Sequence, residues 1–362
     1  VSRSAVPPRP DLFFNGRFVA QSLTGVQRFA TEMILGLGTL PGWDATLLTP
    51  PLTEVPRFAG FRVLPVGGHG GQRWEQFALT RAAGGGLLVN LGNTGPLRQR
   101  RQIVVIHDAG VFSTPDSYSL QFRPWYKLLH RLLARRAKIV TVSEFARNDL
   151  AARLHLDPAA IETVPEGAEH ILRAPADPAV LAAHGLMPGR YVLAVGSLAP
   201  HKNLAALSQT AIALAERGLE LAITGGLDAK VFAAGRAALP QPARYLGRVG
   251  DAELRALYEN AACFVFPSRY EGFGLPAVEA MACGCPVAAS KAGSLPEICE
   301  DAAVYFDPRD PDDIADIVCR VVDTPMLSTE LRRKGLLQVR RYTWNAAARR
   351  LSQIIEAQRR ID

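Results

Sequence analysis

The chain has 362 residues, 48% of them hydrophobic, with a formal charge of +7 and a pI near 9.3. That length exceeds what one hydrophobic core usually fills, so two α/β-sized domains are expected. The basic balance admits nucleic acid, anionic lipid headgroups or phosphorylated small molecules as partners. No run of about 18 apolar residues offers a membrane span, and the start "VSRSAVPPRPD" has no apolar leader region.

In chain order, "DLFFNGRF" (Asp11–Phe18) predicts a first strand and its exit, and "SLTGVQRFATEMILGLGTL" a loop and helix with Gly25 at or just before the helix start. The short apolar runs "ATLLT", "FRVLPV", "GLLVNL", "RQIVVIHD" and "AKIVTVS" follow, with helical stretches over Phe122–Arg136 and Glu144–Leu154. Apolar, non-alternating strands between helices indicate a parallel sheet covered on both faces. Residues 1–172 read as the first domain and 173–190, rich in proline and glycine, as a linker. A second α/β series follows over 191–344: strands "YVLAVGS", "LELAITGG", "ARYLGRV", "CFVFPS", "PVAAS" and "AAVYFDP" alternate with helices, and the last helix, 345–362, returns to the first domain. The five cysteines, Cys263, Cys283, Cys285, Cys299 and Cys319, form no C-x-x-C pair and read as small buried hydrophobes in a reducing compartment.

Ligands of such sheets bind beyond the carboxyl ends of the strands, which makes the cleft between two such domains the default site. The stretch "SRYEGFGLPAVEAMACG" (Ser268–Gly284) follows a strand end and leads into a helix with Pro276 in its first turn. Gly272 and Gly274 bring the backbone close to a ligand, amides at Gly274 and Leu275 suit an anion, and Glu271 and Glu279 flank them. An acidic, capped strand–loop–helix turn is the plain alternative. Lys202, after the strand "YVLAVGS", is placed as a point charge for phosphates or as a surface lysine, with Asn203 beginning the next helix and His201 at the rim. His107 and Asp108 end a strand, where an imidazole either meets a ligand or braces a loop. The histidines show no metal-ligand spacing, and Asp310–Asp313 reads as a helix cap. The absence of G-x-G-x-x-G, G-x-x-x-x-G-K-[ST] and G-x-S-x-G disfavours a dinucleotide oxidoreductase, a P-loop NTPase and a serine hydrolase. "RPWYKLLHRLLARRAK" (Arg123–Lys138) reads as a solvent-facing helix or a contact with an anionic surface. No reader motif supports nucleic acid.

These pieces together resemble the retaining glycosyltransferases of family four, which have the GT-B fold: two Rossmann-like domains facing each other across a cleft. The resemblance runs over essentially the whole chain and is strongest at the E-x7-E motif, Glu271 to Glu279, supported by "VGSLAPHKNL", "YLGRVGDAELRALYENA", "TVSEFARNDL", "GSLPEICEDAAVYFDP" and "YTWNAAARRL". It implies a sugar-nucleotide donor in the second domain. Glu271 would contact the donor sugar, and the loop Gly272, Phe273, Gly274 and Leu275 would reach toward the donor. Glu279 would hold the ribose, Lys202 the diphosphate, and Arg248 and Val249 would lie near the base. Gly25 would approach the diphosphate and acceptor, and His107 the transferred sugar. Glu271, Lys202 and His107 are the implied catalytic residues, with no metal and no cofactor. The pattern departs from many relatives at Ser197, which stands where an arginine is common five residues before the lysine, and at His201, often arginine. "TGVQRF" and "PHKN" look similar to bacterial mannosyl- and rhamnosyltransferases of polysaccharide assembly, so GDP-mannose is the favoured donor and a glycan or lipid-linked oligosaccharide the acceptor. A UDP-hexose or rhamnose donor, a sugar-nucleotide-binding protein without catalysis, and a phosphorylase or epimerase remain the rivals. A cytoplasmic location, peripheral on the inner face of the plasma membrane, fits such an acceptor.

Overall fold

In the computed structural model, residues 12–52, 56–119, 122–226 and 239–360 are described. The expected leader-free start, the beginning of the first strand at Asp11 and the last two residues lie outside them. Two parallel sheets organise the chain. The first comprises β1 (Leu12–Asn15), β2 (Ala45–Thr49), β3 (Phe61–Pro65), β4 (Leu87–Asn90), β5 (Gln102–Val105), β6 (Lys138–Thr141) and β7 (Glu162–Thr163), in the order β3-β2-β1-β4-β5-β6-β7. The second comprises β8 (Tyr191–Val195), β9 (Glu220–Thr224), β10 (Arg244–Gly247), β11 (Cys263–Phe266), β12 (Val287–Ser290) and β13 (Ala303–Phe306), in the order β10-β9-β8-β11-β12-β13. The central strands explain the choice. Every residue of β4 (LLVN), β5 (QIVV), β11 (CFVF) and β12 (VAAS) is buried, as a strand sandwiched between helix layers requires. At the edge, β3 is mostly exposed.

The longer helices are α1 (Gly25–Gly38), α2 (Phe122–Ala134), α3 (Glu144–Leu154), α4 (Ser208–Glu216), α5 (Asp251–Asn260), α6 (Leu275–Ala282), α7 (Pro311–Asp323), α8 (Pro325–Gln338) and α9 (Trp344–Arg360). α1 buries Phe29, Met33, Ile34 and Leu37 completely in the first core, each side chain contributing about 1.5–3 kcal/mol of apolar burial. The final helix α9 packs across α1, so close that a Cβ on Gly36 would lie 2.8 Å from the Ala348 Cβ. The chain therefore crosses between domains twice. The two crossings run side by side: the Ala168 N–H donates to the Tyr342 carbonyl at 3.3 Å, and Glu169 Oε1 accepts the Trp344 N–H at 2.6 Å. Within the linker, Val180 and Leu181 of the short helix Ala179–Ala183 bury in the core of the second domain.

Three local details depart from the sequence reading. Asn203 does not begin a helix. It sits in the left-handed region at φ +57° between two 3-10 turns, its side-chain amide donating to the Pro267 and Pro308 carbonyls at 3.0 and 2.8 Å, and α4 starts only at Ser208. Asparagine tolerates that backbone because its short polar side chain finds local partners. A π-helical turn, Glu75–Leu79, interrupts the helix between β3 and β4. The helix α8, to which the sequence pattern assigned nothing, covers α6 and contributes Leu331 to the core. Asp310 does cap α7, accepting from the amides of Asp312 and Asp313. All five cysteines are free and buried, and burial pushes the Cys263 and Cys299 thiols up to about 12.

Candidate active site

The carboxyl ends of β5, β8 and β11 meet in the cleft. β11 ends at Phe266, and the chain turns through Ser268–Gly274 into α6. Gly274 is the residue before the helix, at φ +97°, a conformation that favours glycine, and a Cβ there would lie 2.5 Å from the Leu295 side chain. The loop is held from beneath by Ser294, whose amide donates to the Glu271 carbonyl at 3.2 Å and whose hydroxyl donates to the Phe273 carbonyl at 2.8 Å. Phe273 is buried edge-on against Tyr342, which fixes the loop to the second crossing. The Leu275 amide and the dipoles of the first turn make the positive end of α6, Pro276 having no N–H and the Ala277 N–H already donating to the Gly274 carbonyl at 2.9 Å.

On this frame the Lys202 ammonium donates to Glu271 Oε1 at 2.8 Å, the lysine and glutamate side chains being 20% and 11% exposed. Lys202 belongs to the 3-10 turn Pro200–Lys202 that follows β8, so residues 69 positions apart meet at two adjacent strand ends. His201, in the same turn, has its amide 3.2 Å from Ser117 Oγ of the first domain. Burial, and then the charge of Lys202, push the His201 imidazole below its ordinary value. Tyr118 of the first domain is pushed up chiefly by burial, and further by the charges of Asp108 and Glu271.

The first domain closes on this loop. A Cβ on Gly272 would lie 2.4 Å from the His107 carbonyl oxygen and 2.9 Å from the Asp108 Cβ, so only glycine allows the approach. Ser143 Oγ donates to the Gly272 carbonyl at 2.5 Å. The Tyr270 hydroxyl donates to Asp149 at 2.7 Å and accepts the Ala109 N–H at 2.9 Å. Glu297 accepts the first amides of α3, those of Glu144 and Phe145, at 2.9 and 2.8 Å, so a carboxylate of one domain caps a helix of the other.

His107 presents its backbone, rather than its ring, to the loop. The ring is buried; its Nε2 lies 3.0 Å from the Leu91 carbonyl and its Nδ1 3.4 Å from Glu166 Oε1. Its amide donates to Asn93 Oδ1 at 2.7 Å. Glu279 faces the crossings. Its Oε1 lies 2.8 Å from His170 Nε2 and its Oε2 3.3 Å from the Tyr258 hydroxyl. The indole N–H of Trp344 can only donate, and it points at His170 Nδ1 from 3.0 Å. His170 therefore carries its proton on Nε2 and gives that hydrogen bond to Glu279. A carboxylate has about four acceptor positions, so two remain for another ligand. Gly25 begins α1 with open space where a Cβ would stand, Ser197 and Arg248 are exposed at the rim, and Val249 is half-buried against the second core. Glu166, His170, Tyr258, Asn93 and Ser294 carry no local sequence signal for these roles, because each partner is distant in the chain.

Residues 189–324 match the family model described as Glycosyl transferases group 1. Over 260 residues the chain is 33% identical to "O-antigen chain mannosyltransferase B" of Escherichia coli, an alignment covering 69% of this chain and 68% of that protein. The chain belongs to the group 1 glycosyltransferases. This glycosyltransferase is also 30% identical over 242 residues to the "MMP alpha-(1->4)-mannosyltransferase" of Mycolicibacterium hassiacum, covering 62% of this chain and 56% of the relative. Its fold is GT-B. It superposes on sucrose-phosphate synthase of Thermosynechococcus elongatus with a TM-score of 0.76 at 18% identity, over 98% of this chain and all of that one (100%). For WaaG, described as a glycosyltransferase involved in lipopolysaccharide biosynthesis, the values are 0.70 and 14%, over 95% and 98%.

Proposed function

We propose that this glycosyltransferase moves a mannosyl group from GDP-mannose to a glycan or lipid-linked oligosaccharide, with retention of configuration and without a metal ion. The observation that carries the proposal is the Lys202–Glu271 pair at the mouth of two strands, beside the positive end of α6 and pressed against the first domain. Departure of a nucleoside diphosphate develops negative charge on its outer phosphate and positive charge at the anomeric carbon. Lys202 and the positive end of α6 are arranged to stabilise the first, preorganised and largely shielded from water. Glu271 positions the donor sugar, the two remaining acceptor positions of Glu279 take the ribose hydroxyls, and the His107 carbonyl lines the reacting centre. The leaving phosphate takes the acceptor's proton, so the protein need supply no nucleophile. Lys202 supplies the charge that the arginine absent at Ser197 would carry, with His201 beside it as a hydrogen-bonding group, while Arg248 and Val249 adjoin the base. The similarity to an O-antigen mannosyltransferase supports mannose as the sugar.

An acceptor carried on a membrane fits the outer face of α2, where Trp125 and Leu128 are exposed on a helix that also carries Arg123, Lys127 and Arg131. No described helix is long and apolar enough to cross a membrane, and contact through this face would be peripheral, on the cytoplasmic side. The deciding experiment incubates the protein with GDP-, UDP-, ADP- and TDP-hexoses and mannoside acceptors, with and without EDTA, and assigns the product anomer by NMR. An α-mannoside formed from GDP-mannose in EDTA supports the proposal. Transfer from UDP- or TDP-sugars alone, an inverted anomer, or donor binding without transfer to any acceptor refutes it.

A further inference from the structure

The loop that carries Glu271 is fastened to both domains, residue by residue. The Arg269 N–H donates to the His201 carbonyl at 2.8 Å and the Glu271 carbonyl accepts the Ser294 N–H at 3.2 Å, both within the second domain. Between them, Tyr270 turns its side chain across the cleft. Its ring is buried edge-on against Phe145 of α3, with centroids 5.6 Å apart. Its hydroxyl makes two bonds, both to the first domain: it donates to Asp149 Oδ2 at 2.7 Å and accepts the Ala109 N–H at 2.9 Å. A phenol has one hydrogen to give. Burial, and then the charges of Asp108 and Asp149, push its ionisation up, so it stays a donor to the carboxylate.

The place of these partners along the chain matters. Tyr270 is one residue from Glu271, and Ala109 is two residues from His107. A single oxygen thus joins the two chain segments that carry the groups proposed to act at the sugar, one from each domain. On the far side of Glu271, Ser143 bonds the Gly272 carbonyl, so the first domain grips the loop on either side of that glutamate. Ser143 caps α3 and Asp149 lies within it, which makes one helix the source of both grips. Asp149 is held ready for the phenol: Ser113 Oγ donates to the same Oδ2 at 2.8 Å, and Arg153 Nε lies 3.3 Å from Oδ1. Ser294 secures the Glu271 backbone within its own domain. Loss of the Tyr270 hydroxyl therefore leaves the shape of the donor loop in place and releases its spacing from the His107 carbonyl.

We infer that Tyr270 is a positioning residue for transfer, its hydroxyl setting the spacing between Glu271 and the His107 carbonyl when the domains are closed. The inference rests on the roles proposed for those two groups, but its exchange measurement needs no donor. Tyr270→Phe removes one oxygen and keeps the ring against Phe145. Transfer from GDP-mannose to a mannoside, donor calorimetry, thermal melting and amide hydrogen exchange are compared for the wild type, Tyr270→Phe, Asp149→Ala, the double variant and Ser113→Ala. Tyr270→Phe should lower kcat at least about tenfold, the scale of a hydrogen bond to a charged acceptor, with donor Kd within about threefold and Tm within about 2 °C of wild type. Asp149→Ala should fall to a similar rate and the double variant no further, because both remove the same bond. Ser113→Ala, which takes a different donor from Asp149, should stay within about twofold of wild type. The amides of residues 107–110 should exchange about tenfold faster in Tyr270→Phe. A wild-type kcat in Tyr270→Phe, a fall in rate matched by an equal weakening of donor binding, or fully additive losses in the double variant overturns the inference. If no nucleotide sugar reacts with the wild type while exchange at 107–110 still rises in Tyr270→Phe, the reaction assignment falls and the registering contact stands; unchanged exchange there overturns it.

Discussion

Gly272→Ala should uncouple catalysis from folding. The glycine has no left-handed backbone, so alanine fits its φ, and the added methyl collides only with the other domain, 2.4 Å from the His107 carbonyl oxygen. An ordinary carbon–oxygen contact needs about 3.3 Å, so the loop and the first domain must separate by about 0.9 Å. The 2.5 Å bond from Ser143 to the Gly272 carbonyl would stretch toward the limit of a hydrogen bond. Misplacement of a reacting group by about 1 Å costs roughly a hundredfold in rate. Steady-state transfer, donor titration calorimetry and thermal melting together read the effect. The expected result is kcat down about a hundredfold, donor Kd within about threefold of wild type, and an almost unchanged Tm. A wild-type kcat would show that the closed contact does not matter to the chemistry, and a large drop in Tm would show that the contact holds the domains folded. Gly274→Ala is the contrasting control: at φ +97° and 2.5 Å from Leu295 it strains the second domain itself and should cost about 1–2 kcal/mol in stability.

His170→Ala removes one of the two hydrogen bonds on the buried Glu279 carboxylate and the acceptor for the Trp344 indole. A stability loss of about 1–3 kcal/mol and a raised donor KM are expected, and donor KM at the wild-type value would refute the ribose role assigned to Glu279. Lys202→Ala should lower kcat about 10²–10³-fold, the scale of losing one preorganised charge-stabilising group, and Glu271→Ala should reduce transfer far more than it lowers Tm; wild-type rates in either folded variant exclude the assigned role. Acid should destabilise the protein through His130 and His201, both lowered from 6.5 chiefly by burial. Because the folded values lie below the unfolded one, the unfolded chain takes the protons first, so stability is fully present above about 6.5 and declines as pH falls through that value toward the folded ones. Melting curves between pH 7.5 and 5 should show the decline, and His201→Gln should flatten it; an identical slope in the variant refutes the contribution.

The fold was legible because its strands are short, apolar on both faces and separated by helices, a pattern physics assigns to parallel sheets. "CFVFPS" and "YVLAVGS" already placed Glu271 and Lys202 just past strand ends, which is where a parallel sheet exposes its working edge. What stayed hidden depended on contacts across the chain. Nothing near Glu166 announces that its carboxylate will brace the His107 ring, and nothing near Glu75 announces Arg17, 58 residues away. Asn203 looked like a cap because the residue type suits one; its two carbonyl partners, Pro267 and Pro308, exist only once the second sheet is assembled. The E-x7-E spacing located both glutamates but not what faces them: one meets a lysine in the cleft, the other a histidine at the first crossing between the domains.

That last asymmetry bears on how the enzyme would open. Rotation of one domain away from the other must turn about the paired crossings, because the chain is tethered there at both Ala168 and Tyr342. Glu279, bonded to His170 at that pivot, has almost no lever arm, whereas Glu271 and Gly272 sit on the side that closes against His107 and swing away. On the roles proposed for Glu271 and Glu279, such a jaw would part first at its sugar end while still holding the ribose, and the elongated acceptor would leave before the nucleotide.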